Sequence, residues 1–212
     1  VFIRVAEMDV IHFMMANNVK TLLDIGANVG HFSQSITSKN PNIQIYMLEA
    51  NPFCEPFLQR TNIPYDIACL SDSEKFIRMY INKNNAVCTG ASYYKETTKH
   101  YDDAEYVNVN TKLLDDVIFS KFGEYKQFDY IKMDTQGSEI DIIKGGSKTI
   151  DQAKYIQIET SLMEYNKGAP LKDAVVEFMG TLGFKPSVLV EKHYWNQDPN
   201  DKLIQEDWIF TR

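Results

Sequence analysis

The first chemical signal is the stretch Asp24-Ile25-Gly26-Ala27-Asn28-Val29-Gly30, which ends a short apolar run and opens onto a helical segment. Glycines let a backbone approach a ligand with no Cβ between them. A helix start offers N–H groups that lack partners. Such a loop suits a ligand, and its spacing narrows the choice. A dinucleotide requires G-x-G-x-x-G, with the second glycine against the pyrophosphate. Asn28 stands in that place, which argues against a nicotinamide-dependent oxidoreductase. A P-loop requires a lysine after its last glycine, and none follows Gly30. A nucleoside without phosphates remains. S-adenosylmethionine fits, with adenosine at one end, an amino-acid zwitterion at the other and a sulfonium between. Asp24 suits its ammonium and sulfonium charge.

Glu49 follows Asp24 by 25 residues, at the end of a second apolar run. A carboxylate there can accept from both ribose hydroxyls, although an acid about 20 residues past the loop also marks NAD sites. Asn51, Pro52 and Phe53 can flank the adenosine, while Asp66, Ile67, Ala68 and Cys69 are placed to meet the adenine.

The second signal is Ile131-Lys132-Met133-Asp134-Thr135-Gln136-Gly137-Ser138-Glu139. Apolar residues lead to Asp134, which is expected beside the Gly26 loop at the reactive centre, as a general base whose pKa burial would raise. Its simpler reading is an N-cap for the next helix. His31 is the other proposed base, because a helix N-terminus favours neutral imidazole; His100 and His193 are weaker choices. Glu159 is expected to face the same crevice. Asp134 and Glu159 could share a divalent cation, but no third ligand is evident and no metal is expected.

The elements that must position these residues alternate. Val1 to Asn18 has near-helical spacing of Ile3, Met8, Ile11 and Met15. Strands are expected at Thr21–Ile25, Ile43–Leu48 and Tyr65–Leu70, and helices at Val29–Ser38 and from Pro52 to about Arg60. A later strand, Phe128–Met133, precedes a helix over Ser138–Lys144, then a strand over Tyr155–Ile158 and a helix over Leu171–Leu182. Lys185–Val190 and Trp208–Thr211 form a closing hairpin around a polar turn, Asn196 to Asp201. Alternating strands and helices imply a doubly wound, mostly parallel α/β sheet. The fourth strand should abut the first at the topological switch point. Residues 76–114 break the rhythm with two alternating runs, Phe76–Ile81 and Tyr106–Leu113, read as an inserted antiparallel pair. The tyrosine-rich stretch between them (Tyr93, Tyr94, His100, Tyr101, Tyr106) is either a lid over an acceptor or a solvated excursion. Trp195 is placed to line the same mouth or to pack on the sheet edge.

The 212 residues carry a net charge of −7 and are 44% hydrophobic, so one domain spanning 1–212 with an ordinary core is expected. The acidic balance argues against a general nucleic-acid or membrane-surface binder. No apolar run reaches the ~18–20 residues of a membrane span. Cys54, Cys69 and Cys88 form neither a zinc framework nor a disulfide scaffold, which suits reduced thiols and a cytoplasmic protein. The chain opens at Val1 rather than Met and is expected to be a piece of a longer one.

The sequence resembles the FkbM-type family of S-adenosylmethionine-dependent methyltransferases. The resemblance lies in Leu23–Gly30, Leu48-Glu49-Ala50-Asn51-Pro52, Ile67–Asp72, Thr111–Asp116 and Ile131–Glu139 with Ile142–Gly146. It implies a Rossmann-like sheet, commonly of seven strands, and methyl transfer to a hydroxyl of a sugar, glycolipid or natural product. By position, Asp24, Gly26, Asn28, Gly30 and Glu49 would bind the cofactor, with Asp134 at the reaction centre. The family usually has Asp-Val-Glu-Gly where this chain has Asp134-Thr135-Gln136-Gly137. The rival from another class is a catalytically silent nucleoside-binding module.

Overall fold

The computed structural model describes residues 8–87, 89–195 and 198–212, with only the backbone of His100. Ile3, Cys88, Asn196, Gln197 and the His100 side chain, all named above, lie outside it.

Helix α1 (Val10–Ala16) is shorter than expected and starts where the Asp9 carboxylate accepts from the N–H groups of Ile11 and His12. That start sets the inward face as Ile11, Phe13 and Met14, and leaves Met8 and Met15 outside. Strand β1 (Thr21–Ile25), helix α2 (His31–Lys39) and strand β2 (Gln44–Glu49) follow closely as expected. The helix after Pro52 is broken into 3-10 turns around one short α segment, α3 (Glu55–Leu58).

The expected third strand splits at Ala68. Strand β3 (Tyr65–Ile67) runs beside β2, whereas β4 (Cys69–Leu70) leaves the main sheet. There β4 pairs in parallel with β6 (Glu105–Lys112), which is antiparallel to β5 (Phe76–Ile81). The inserted pair therefore stands, with β4 as a third strand. Helix α4 (Leu114–Phe122), which the sequence reading left unassigned, leads to β7 (Tyr130–Met133). Next come α5 (Glu139–Gly145), the unexpected α6 (Ser147–Asp151), β8 (Tyr155–Ser161) and α7 (Lys172–Thr181). The closing hairpin is longer than expected, with β9 (Lys185–Tyr194) and β10 (Leu203–Thr211).

The main sheet has seven strands in the order β3-β2-β1-β7-β8-β10-β9. Those from β3 to β8 are parallel, and β10 is antiparallel to both neighbours. Strand alternation divides the core. Leu22, Met47 and Tyr130 pack with Ile11, Met14, Ile36 and Leu58 on one face. On the other, Leu23, Leu48, Ile131 and Ile158 pack with Leu114, Ile118, Ile142 and Met179. The sheet is thus doubly wound, and the expected neighbours β1 and β7 meet at the switch point. Ligands bind outside the carboxyl ends of strands at such a point. Among the described residues, no helix is long and apolar enough to cross a membrane.

Candidate active site

A cavity of about 650 Å3, counting its open mouth, lies at the carboxyl ends of β1, β2 and β7. Gly26, Asn28 and Glu49 line one side, Asp134, Thr135 and Ser138 another, and Ala68, Cys69 and Leu70 the edge. Leu48, Met79 and Ile142 add apolar wall. Pockets for small molecules have this character, mostly apolar with a few convergent polar groups.

The glycine loop lies close to β7. Gly26 has φ +80°, and a Cβ there would lie 1.9 Å from the Asp134 carbonyl oxygen. Asn28 is also left-handed, at φ +50°, a conformation asparagine tolerates better than most side chains. Glu49 fixes the loop from the next strand. Its Oε2 accepts from Asn28 N–H at 2.6 Å and its Oε1 from Asn51 N–H at 2.7 Å. Burial raises the Glu49 pKa, and these N–H bonds oppose that rise. Each oxygen retains lone-pair capacity for a ribose hydroxyl.

Five of the expected positions are not at this wall. Asp24 is fully buried beneath the loop, where Ser33 Oγ donates to its Oδ2 at 2.6 Å. Burial raises its pKa, against Lys132 and Ser33. Its side chain supports α2 rather than facing the cavity. Gly30 begins α2 against Thr61 and Leu58. Asn51 is buried with its amide donating to the Ala86 carbonyl at 2.6 Å. Ile67 points into a separate groove with Asp66 and Lys121. His31 is exposed on the first turn of α2 and lines no part of the cavity.

Asp134 lines the cavity, but its environment runs opposite to expectation. Burial pushes its pKa up, yet Lys132 Nζ at 3.1 Å and the Gln136 amide at 3.2 Å prevail and hold it below the usual range. It is an anion, poorly suited to take a proton. Nor does it cap α5. Glu139 staples that turn instead, its Oε1 accepting from Thr135 N–H, Thr135 Oγ1 and Gly137 N–H. Gln136, left-handed at φ +56°, donates its amide to both Asp134 and Glu159. A carboxylate there would repel both. Burial lowers the Lys132 pKa, but Asp134 and Asp24 outweigh it and lift it above the ordinary lysine value. The buried Cys69 thiol is pushed up to about 12, chiefly by burial, and stays protonated.

The segment between β5 and β6 folds back over the cavity rather than into solvent. Asn28 Nδ2 donates to the Val87 carbonyl at 3.0 Å, Asn51 holds Ala86, and Ser92 Oγ donates to the Gln136 carbonyl at 3.0 Å. Tyr93 lines the cavity, and its hydroxyl and that of Tyr94 both donate to Asp141. Tyr101 is buried, and Tyr106 is exposed. The spacing of this segment carried no periodic signal, so Thr89, Ala91 and Ser92 were missed, whereas Tyr93 was among the residues named for a lid.

A wider groove adjoins the cavity, with Thr89 and Asp134 shared by both. Gln136, Glu159, His193, Trp195, Tyr165 and Gln205 line it. Glu159 therefore does face the crevice.

A family model described as the methyltransferase FkbM domain matches residues 24–186. The chain belongs to the FkbM methyltransferase family. It is 24% identical over 172 residues to the 2-O-methyltransferase NoeI of Sinorhizobium fredii (strain NBRC 101917 / NGR234), covering 74% of this chain and 70% of that protein. Among solved structures, an O-methyltransferase family protein from Burkholderia thailandensis aligns with TM-score 0.52 and 9% identity. That match covers 92% of this chain but only 52% of the other, so the chain spans about half the length of that protein. The methyltransferase domain of bacterial CtHen1-CN aligns with TM-score 0.51 and 10% identity over 96% and 95% of the two chains. These two likenesses concern the fold. The enzyme is thus an S-adenosylmethionine-dependent methyltransferase on a Rossmann-like sheet.

The residues present fit the cofactor. Glu49 offers acceptors, Leu48, Ala68 and Leu70 an apolar slot, and Asp134 an anion at the far end. When bound, the cofactor supplies an electrophilic methyl group on a sulfonium. The chain's part is to orient the partners and exclude water.

Proposed function

We propose that this enzyme transfers a methyl group to a hydroxyl of a sugar, glycolipid or related natural product. In this reading Gly26, Asn28, Glu49 and Ala68 hold the cofactor, and Asp134, paired with Lys132, is the anion facing its cationic end. The observation that supports it best is the junction at Asp134 between the narrow cavity and the wider groove. The groove combines an aromatic wall with polar groups: Trp195 and Tyr165 pack edge to face at 6.4 Å, near Glu159, Gln205 and Gln136. Aromatic faces and amide or carboxylate side chains suit a ring that bears hydroxyls. The 2-O-methyltransferase relative is in keeping with transfer to an oxygen.

The test has two arms. Calorimetry with S-adenosylmethionine and NAD in parallel should show binding of the first alone. Transfer of labelled methyl should then occur to members of a glycoside panel and not to total RNA or to a protein lysate. Label in RNA with none in the glycosides would overturn the acceptor while leaving the cofactor assignment intact.

A further inference from the structure

Two residues of the wider groove, Glu159 and His193, with the buried Asp207 beside them, form a cluster that cofactor binding does not use. Glu159, Asp207 and His193 sit on the adjacent strands β8, β10 and β9, with Asp207 directly opposite Glu159 in register. One donor atom from each lies within 4.8 Å of the others. His193 Nε2 is 3.2 Å from Asp207 Oδ1 and 3.9 Å from Glu159 Oε1. Ligands about 2.0–2.2 Å from one ion stand roughly 3–3.6 Å apart at octahedral or tetrahedral angles, so only small side-chain shifts are needed.

The outer oxygens are held by neutral amides. Glu159 Oε2 accepts from Gln136 and Gln205, each at 2.8 Å, and Asp207 Oδ2 accepts from Gln157 at 2.7 Å. These amides orient the carboxylates without neutralising them, and leave Oε1 and Oδ1 beside the imidazole. Outer partners of metal-binding carboxylates act in this way. The neighbouring buried lysine, Lys132, is taken by Asp134 and Asp24. Glu159 and Asp207 therefore bring two carboxyl groups to the single imidazole of His193.

We propose that Glu159, His193 and Asp207 form a binding site for a divalent transition-metal ion, open to the groove. Two carboxylate oxygens and one imidazole nitrogen favour Mn2+, Fe2+ or Zn2+ over Mg2+ and Ca2+, which prefer oxygen alone. The sequence reading paired Glu159 with Asp134 and found no third ligand. The hairpin β9–β10 supplies both missing partners, and Asp134 is instead engaged by Lys132. The open positions of the ion would take hydroxyl oxygens of the acceptor and acidify them. That use rests on the hydroxyl-acceptor reading; metal binding does not.

The experiment takes the whole chain, stripped with EDTA and moved to chelator-free buffer, and titrates it with MnCl2 while the electron paramagnetic resonance of free Mn2+ is followed. One ion should bind per chain, with spin-echo modulation from one imidazole nitrogen, and Zn2+ should compete for it. His193→Gln, Asp207→Asn and Glu159→Gln should each weaken binding about tenfold or more, with S-adenosylmethionine affinity retained by calorimetry as the check on folding. Failure of Mn2+ and Zn2+ to bind wild type at about 1 mM would overturn the site. So would bound Mn2+ without nitrogen modulation, or binding undiminished in the variants. Metal binding at these residues with no methylation of any glycoside would support the site and remove the acceptor reading.

Discussion

Lys132 and Asp24 stand opposite each other in register across β7 and β1, both buried, with Nζ 3.9 Å from Oδ1. The same ammonium donates to Asp134 at 3.1 Å. One cation inside the sheet thus serves a carboxylate beneath the glycine loop and another at the cavity wall. Asp24 Oδ1 has no hydrogen-bond partner among the described residues, so its only compensation at that oxygen is the charge of Lys132.

Removing that cation should be costly. Lys132→Met leaves the buried Asp24 without its cation, beside the partly exposed Asp134, and breaking a buried pair typically costs about 3–5 kcal/mol. Urea unfolding should show a loss of that size. The double variant Asp24→Asn, Lys132→Met should recover part of it, because the uncompensated charge goes too. Two single losses that simply add would show that the two residues do not interact.

Glu49 does two jobs, and its replacement should affect both. In Glu49→Gln one oxygen becomes a donor and faces an N–H it can no longer accept from. Charge-assisted hydrogen bonds contribute about 1.5–3 kcal/mol each. S-adenosylmethionine affinity should therefore fall at least about tenfold by calorimetry, with a smaller loss in stability. Unchanged affinity would show that the carboxylate only supports the Asn28 and Asn51 backbone.

The sheet and its ligand-binding end were legible because they rest on local pattern. Apolar runs ending in Asp24, Glu49 and Asp134 mark strand tips, and alternation with helices orders them. Lys132 was legible too, but overlooked: a lysine inside the run Ile131–Met133 must meet acids, and the strand expected beside it contains Asp24. What the pattern could not convey was side-chain direction. Strand residues alternate between faces, and Asp24, inside β1, points beneath the loop that follows. The part played by Thr89, Ala91 and Ser92 in the cavity wall was hidden for another reason. Their placement depends on long-range bonds from Asn28 and Asn51 to carbonyls of Val87 and Ala86, which leave no periodic mark. The Glu159, His193 and Asp207 cluster needs the order β8-β10-β9, which no local run specifies.

Asn51 provides a direct test of how that wall is held. It is fully buried, its Oδ1 accepts from Phe53 N–H, and its amide donates to Ala86. Asn51→Ala removes both bonds and should destabilise the fold by about 1–3 kcal/mol. Hydrogen exchange should quicken at Tyr80 and Ser92, whose N–H groups bond each other's carbonyls at the base of the segment. The central strand β1 should keep its protection. Equal loosening of β1 and the segment would mean that Asn51 supports the whole sheet.

Far from the cavity, Asp129 ties the start of β1 to the strands beside it. Its Oδ2 accepts from Lys20 N–H at 2.8 Å and Thr21 N–H at 3.2 Å, and Lys154 Nζ lies 2.7 Å from Oδ1. Burial pushes its pKa up, but the Lys154 bond and the two N–H groups outweigh this and hold it below the ordinary value. A lowered folded pKa means that the unfolded chain takes up the proton first. The contribution of Asp129 is therefore complete above about pH 4, the unfolded value, and is lost as pH falls through the lower folded value. Lys154 is 58% exposed, so solvent screens its share and the backbone bonds carry most of the effect. Asp129→Asn should cost about 1–2 kcal/mol at neutral pH. Its urea midpoint should also fall less steeply than that of wild type as pH is lowered below about 4. Parallel declines in the two proteins would show that ionised Asp129 contributes nothing to acid stability.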